Sequence, residues 1–509
     1  MPDQVRHDVI RFGRIKRSGS KDRTVCRFLY IYIRIDATMN DLFSADGWFN
    51  RVVTASNDFL WTYILIALLI GCALWFTFRS HGVQFRMIGE MFRLLGDSTG
   101  KHDGKKHISS FQAFAVSVAT RVGTGNLAGV ATAIAVGGPG AVFWMWIIAL
   151  LGSASAFVES TLAQLFKKHH KDAFIGGPAY YILQGLKKPW LAALFAILIS
   201  MTFGLSYNSI QSNTICNALN VAFGFDPLVT GIVLAVVSLV VIFGGIHRIA
   251  RVSSILVPVM AIGYLILALF VIFRHIDLIP QVFTVIFKDA FGITQIAGGG
   301  IAATLMNGIK RGLFSNEAGE GSAPNVAATA STSHPVKQGL IQALGVFTDT
   351  LVVCSCTAFI ILFSGVNTQG GLNGIALTQA ALEAEVGRFG TVFIAAAILL
   401  FAYSSIIGNY YYGEANIRFL TQKKWVMAVY RLLSGGVVVL FGAMASLDLV
   451  WSLGDLCMAL LTACNLYAIA RLSKYAFRLL DDYRAQKKAG KNPVFRRESM
   501  PELTLDCWE

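Results

Sequence analysis

A run of about 20 apolar residues is long enough to cross a bilayer core as a helix. This chain carries eleven such runs in succession, at residues 58–78, 111–135, 141–165, 192–218, 228–244, 252–273, 298–328, 339–364, 389–412, 425–443 and 447–472. Buried helices of a soluble protein imitate one or two of these, not eleven. Composition agrees: 55% of the 509 residues are hydrophobic and only 14% are charged, against about 25% charged in an ordinary soluble domain. The expected fold is an all-α polytopic membrane protein with eleven transmembrane helices in one domain over 58–472. The eight cysteines are scattered, mostly within apolar runs, and fit neither zinc spacing nor a secreted disulfide framework.

Lys and Arg in the short loops set the orientation. The loop after the first run holds Arg79, Arg86, Arg93, Lys101, Lys105 and Lys106, and alternate loops add Lys167, Lys168, Lys171, Arg248, Arg251, Lys337, Arg418 and Lys423. The opposite loops offer Arg274, Lys288 and Arg388. The pattern places the N-terminus outside and the C-terminus in the cytoplasm, in the inner membrane if the cell is Gram-negative. The net charge of +14 then belongs to loops and to a basic cytoplasmic tail over 473–509 facing anionic headgroups, and calls for no nucleic-acid partner. Residues 1–57 read as an N-terminal extension. Within it, 1–38 carry nine Lys and Arg on the outer side, so a chain begun at Met39 is expected to work without them.

Two runs are interrupted alike. "RVGTGNLAG" (121–129) and "RGLFSNEAG" (311–319) share the order Arg, four residues, Asn, one residue, Ala-Gly. With the first run set aside, ten remain, five in 111–273 and five in 298–472, and the pattern falls in the first of each five. Five is odd, so the second set has inverted topology, the layout of inverted-repeat transporters whose broken helices meet near the bilayer midplane. Backbone leaves helical form at that depth only where protein or a wet cavity satisfies its amides. Gly123, Gly125 and Gly129 permit the break, and the half-helix starting at 124–126 turns N–H groups and a positive dipole end toward a carboxylate. Glycines in membrane helices more often serve close packing; clustering beside an intramembrane Arg shifts the balance here. Three acids lie in apolar runs, Glu159, Glu317 and Asp349, where function or tight pairing is the default. Pairing with Arg121 or Arg311 and direct ion binding stand as equal alternatives.

The stretches "SSFQAFAVSVATRVGTGNLAGVATAIAVGGPGAVFWMW", "GGPAYYI" (176–182) and "FSNEAGEGSAPNVAATA" (314–330) resemble the alanine or glycine:cation symporter family over about residues 58–472. The resemblance implies a LeuT-like five-plus-five fold with one peripheral first helix; LeuT is itself the standard example of this architecture. It implies sodium-driven uptake of a small neutral amino acid, alanine or glycine, with serine and glutamine as further candidates. Carried over by position, substrate-facing groups are Gly123, Thr124 and Asn126, then Phe314, Ala318 and Gly319, then Gln211, Ser405 and Asn409. A sodium site would use carbonyls near Ala119 and Val122 with the hydroxyls of Ser404 and Ser405, and Asn126 would serve a second sodium beside the substrate carboxylate. Asn409 departs from the Trp of family members with small substrates, which widens the expected substrate size.

Other polar groups read as structure. Gln112, Ser155 and Thr161 suit interhelical hydrogen bonds, "NYYYGE" (409–414) suits an interfacial tyrosine belt, and "GGPG" (137–140) a tight turn. An intramembrane enzyme should show an HExxH helix, paired carboxylates or nucleophile logic, and the sequence shows none. A channel usually repeats its filter by oligomerising, whereas ten helices with an internal repeat build a cavity alone. No GxxxxGK[ST] phosphate loop occurs. A secondary transporter without cofactor, enzyme activity or obligatory protein partner is the expectation, with proton coupling as the alternative energy source.

Overall fold

A lipid-facing backbone must close its own hydrogen bonds, so apolar runs become helices. In the computed structural model the described residues are 48–97, 108–170, 173–244, 246–292, 300–368 and 370–508. They fall into one unit ending at Ala55 and a second from Ser56 to Glu509. The expectation about residues 1–38 lies outside the described residues. The principal helices are α1 (Asn50–Arg79), α2 (Ser110–Arg121), α3 (Gly125–Gly137), α4 (Ala141–Leu165), α5 (Pro189–Phe223), α6 (Pro227–Phe243), α7 (Ile246–Arg274) and α8 (Ile279–Ala290). They continue with α9 (Gly300–Asn316), α10 (Ala323–Ala327), α11 (Pro335–Phe363), α12 (Gly374–Val386), α13 (Arg388–Leu420), α14 (Lys424–Met444) and α15 (Leu447–Lys488). One short hairpin, β1 (Lys168–His170) against β2 (Ala173–Ile175), is antiparallel.

Among the described residues each of the eleven apolar runs contains helix, but not as eleven unbroken spans. Among the described residues seven helices are long and apolar enough to cross a membrane, or eight if the pair Met260–Arg274 and Ile276–Ala290, bent by 75°, is one span. The shortfall has physical causes. The runs at 111–135 and 298–328 are each divided in two, and α6 has only 17 residues.

The helices around the breaks pack closely. A Cβ on Gly308 would stand 2.4 Å from the Ala141 carbonyl oxygen, and one on Gly312 2.6 Å from Ile148, so these two glycines let α9 lie against α4. The 137–140 stretch is a turn: Gly138 has φ +81°, and the Gly140 N–H donates to Asp289 at the end of α8 at 2.8 Å. Gln112 is no interhelical bridge. Its side chain and that of Ser109 close a reciprocal capping box at the start of α2.

Helix α15 continues past residue 472 to Lys488, and the segment after it folds back. Phe495 N–H donates to the Ser333 carbonyl at 2.8 Å, and the Trp508 indole donates to the carbonyls of Gln164 and Leu165, both at 3.2 Å. Lys167, buried at the end of α4, donates to the Ala330 carbonyl at 3.1 Å and lies 4.1 Å from the Phe174 ring centroid and 4.7 Å from that of Trp508. The tail is therefore packed structure as well as charge.

Candidate substrate and cation site

The first break begins where Val122 turns extended, at φ −70° and ψ 102°, and ends α2. Two amides freed there find side-chain acceptors. Gly123 N–H donates to Asn126 Oδ1 at 2.9 Å, and Thr124 N–H to Gln211 Oε1 at 3.3 Å. The Thr124 hydroxyl donates to the same Gln211 oxygen at 2.6 Å. Gln211 on α5 thus meets the first break, and both amides carry protein acceptors.

The second break runs from Glu317 to Ser322 between α9 and α10. Glu317, Gly319 and Gly321 all have positive φ, at 54°, 91° and 85°. Its polar backbone is met by side chains: Ala318 N–H donates to Asn316 Oδ1 at 3.0 Å, and Gly319 N–H to Glu159 Oε1 at 3.2 Å. Asn465 on α15 donates to the Gly319 carbonyl and to Glu159 Oε2, each at 2.8 Å. Glu159 thus braces unwound backbone, as membrane-depth irregularity requires. Glu317 accepts from the Ser322 hydroxyl, and Glu320 from Tyr207 at 3.1 Å.

The two breaks touch. A Cβ on Gly125 would lie 3.0 Å from Ser315 Cα and 3.1 Å from the Phe314 ring. Phe314 packs edge-on against Tyr207 and Trp451, each at 4.7 Å between centroids, and Phe203 lies tilted against Tyr207 and edge-on to Tyr412. Sequence reasoning missed this aromatic wall, because its members come from four helices, α5, α9, α13 and α15, with no shared spacing. Tyr410 and Tyr412 correct the expected interfacial belt. Both are buried in α13, and the Tyr412 hydroxyl meets Thr120 Oγ1 at 2.9 Å.

Helix α13 brings Ser404 and Ser405 to the end of α2. Ser404 Oγ lies 3.3 Å from the Ala119 carbonyl, while Ser405 Oγ lies 3.2 Å from that of Thr120, two residues before Val122. A Cβ on Gly123 would stand 2.6 Å from Ser405 Oγ, so glycine is what admits that hydroxyl. Asn409, one turn further on, is buried, and its Nδ2 has no partner among the described residues. Carbonyl and hydroxyl oxygens together are a donor set for a hard monovalent cation. Helix α12, unforeseen from sequence, sends the Thr378 hydroxyl to the Leu127 carbonyl at 2.9 Å.

The two arginines behave differently from each other and from expectation. Arg311 pairs with Asp455 at 2.6 Å under the Trp451 ring, not with any of the three acids singled out from sequence. Arg121 is buried, donates to the Gln342 carbonyl at 3.4 Å, and has Nε and Nη2 unpartnered among the described residues. Asp349 accepts from Asn126 Nδ2 and Ser315 Oγ, both at 2.7 Å.

Compared with known proteins, residues 46–497 match the family described as "Sodium:alanine symporter family". A Bacillus subtilis protein named "Probable sodium/glutamine symporter GlnT" is 53% identical over 90% of this chain and 96% of its own length. "Amino-acid carrier protein AlsT" of the same organism is 50% identical over 91% and 98%. "Sodium/alanine symporter AgcS" of Methanococcus maripaludis is 36% identical over 84% and 95%.

Proposed function

Because the chain belongs to the sodium:alanine symporter family, a family of multi-pass membrane transporters rather than enzymes, we propose that it couples the sodium gradient to uptake of a small neutral amino acid. The observation that carries this reading is the meeting of two interrupted helices at Gly123–Asn126 and Phe314–Gly319, with Gln211 on one side and Ser405 on the other. The amino acid's carboxylate takes the Gly123 and Thr124 amides at the dipole end of α3. Its side chain points toward the Phe314 wall and Asn409. Sodium takes the oxygens of Ala119, Thr120, Ser404 and Ser405, so ion and substrate share the end of α2. A filled sodium site fixes the backbone that receives the carboxylate, and this is a differential interaction of the kind coupling requires.

Asn409 sets the side-chain range. A buried amide with a free donor rewards a polar substrate and leaves more room than an indole would. A pocket rejects a missing methylene by only about 1–3 kcal/mol, whereas unmatched buried polar groups discriminate more strongly. Glutamine and serine therefore join alanine and glycine as substrates, in keeping with a relative at 53% identity whose name includes glutamine.

The test is uptake of labelled alanine into proteoliposomes with and without an inward sodium gradient, with excess glutamine or serine as competitor. Accumulation that needs sodium and falls with both competitors is expected. Accumulation driven equally by a proton gradient in the absence of sodium would remove the sodium reading, and indifference to glutamine and serine would remove the role of Asn409.

A further inference from the structure

Arg121 ends α2, one residue before the extended Val122, and is buried. Its guanidinium rests against Gly345 on α11, where any Cβ would collide with Nη1, and that nitrogen donates to the Gln342 carbonyl at 3.4 Å. Nε and Nη2 have no partner among the described residues, and no Asp or Glu there forms an ion pair with the group. Four buried acids, Glu159, Glu317, Glu320 and Asp349, feel its charge. Each is held by other donors: Glu159 by Asn465 and the Gly319 amide, Glu317 by Ser322, Glu320 by Tyr207, and Asp349 by Asn126 and Ser315. The acids compensate the guanidinium at a distance and leave its donors open.

Further polar groups line up with it. Side chains three, four and seven residues apart share a helix face. On α2, Ser117 precedes Arg121 by four residues, and on α11, Gln338 and Gln342 precede Gly345 by seven and three, which puts them on the face that meets Arg121. Ser117, Gln338 and Gln342 are all 0% exposed. Ser117 Oγ and the side-chain nitrogen and oxygen of both glutamines lack a partner among the described residues. Buried polar atoms are nearly always paired, so such a group, Arg121 Nε and Nη2 included, points to a polar ligand. The guanidinium fork matches a carboxylate. The amide oxygens of Gln338 and Gln342 accept from an ammonium, and their nitrogens add donors. A halide would leave those oxygens unmet.

We propose that Arg121, Ser117, Gln338 and Gln342 form a release site for the zwitterionic amino acid, separate from the one at Gly123–Asn126. It lies from that site toward the start of α2, the side that the loop charges mark as cytoplasmic. Arg121 stands two residues before Gly123 and three before Thr124, whose amides take the carboxylate in the main site. A substrate leaving those amides passes its carboxylate to the guanidinium before it reaches the cytoplasm. The α2–α11 seam is then the exit path, and Gly345 is the residue that makes room in it for the guanidinium.

This inference rests on the sodium-symport reading above, and the experiment separates the two. Alanine half-saturation is measured at each face, in right-side-out and inside-out membrane vesicles carrying the full chain, for wild type and Arg121→Gln. Loss of a charged hydrogen-bonding partner should raise it about 10-fold or more at the cytoplasmic face and leave the outer face within about 2-fold. Propionate, which keeps the carboxylate and lacks the ammonium, should compete with alanine from the cytoplasmic face in the wild type and lose most of that competition in the variant. Should Arg121→Gln fail to fold, Gln342→Leu serves, since it keeps the carbonyl that holds Arg121; the expected rise is about 3- to 10-fold, at the cytoplasmic face alone. An equal change at both faces, or none, in a folded variant overturns the release site and leaves sodium symport standing. So does a wild-type half-saturation that shifts when methanesulfonate replaces chloride and ceases to shift in Arg121→Gln, because the ligand is then a halide. A wild type that carries no alanine from either face overturns the transport reading and this site with it.

Discussion

Gly123→Ala tests whether the first break and α13 share a cation. The new Cβ would stand 2.6 Å from Ser405 Oγ, closer than any stable contact, but 3.6 Å from Ser405 Cβ and 3.5 Å from Gln211 Oε1, which is ordinary contact. The hydroxyl must therefore swing away and give up its bonds to the Thr120 carbonyl at 3.2 Å and the Phe401 carbonyl at 3.1 Å. Each neutral hydrogen bond is worth about 1 kcal/mol net. Losing two costs about 2 kcal/mol, a weakening of roughly 30-fold if the same hydroxyl holds the ion. The expected outcome for Gly123→Ala is a 10- to 30-fold rise in the sodium half-saturation of alanine uptake. Ser405→Ala alone should show a similar rise, and the double variant should be no worse than Ser405→Ala, because without the hydroxyl the methyl group has room. This non-additivity is the signature of a direct contact. If the two substitutions multiply as independent effects, or if Gly123→Ala responds to sodium as wild type does, the shared site is wrong.

Asn409→Trp fills the polar end of the pocket and should abolish glutamine and serine competition while alanine and glycine uptake persist, read in the competition assay above. Glu159→Ala strands the Gly319 amide in the core, at a cost of about 1–3 kcal/mol for one unsatisfied donor. Its melting temperature, followed by thermal-shift chromatography, should fall by several degrees, whereas Glu159→Gln keeps an acceptor oxygen and should stay close to wild type. In the loop after α1, the Arg93 guanidinium, bonded to Glu90 at 2.7 Å, holds that carboxyl down at about 2, with help from Tyr483 and Lys487. A depressed acid stabilises the fold above its unfolded pKa of about 4.5 and loses that contribution as pH falls toward 2. Arg93→Ala should therefore lower the melting temperature slightly at pH 7, by the modest amount expected of an exposed pair, and shrink the difference between pH 7 and pH 3. An equal drop at both pH values would exclude the ion pair as its cause.

The fold class was legible because lipid leaves few options: apolar length fixed where helices lie, and the paired Arg-x4-Asn-x-Ala-Gly stretches marked where they break. The partners of the breaks were less legible. Glu159, Asp349 and Arg311 announced themselves as charges in apolar runs, but their partners, Asn465, Ser315 and Asp455, come from other helices, 306, 34 and 144 residues away in the chain. Hydropathy does not encode which faces meet. Tyr410 and Tyr412 looked interfacial because tyrosines cluster at helix ends, yet α13 runs to Leu420 and carries them inside. Which carbonyl the Ser405 hydroxyl meets was not legible either: it bonds that of Thr120, in the last turn of α2, which ends at the extended Val122. Helix α12 went unforeseen because its 13 residues are too few to span a membrane, although a short helix can still brace a broken one.

The docking of Trp508 has a consequence for how the protein is made. Its indole closes on the Gln164 carbonyl, 344 residues earlier in the chain. At about 5–20 residues per second of synthesis, that carbonyl and the neighbouring Lys167 wait roughly 20–70 s for the partner that covers them. The end of α4 is thus among the earliest surfaces translated and among the last to be completed. A chain cut short anywhere in its final stretch, however well its membrane helices have inserted, keeps that surface uncovered.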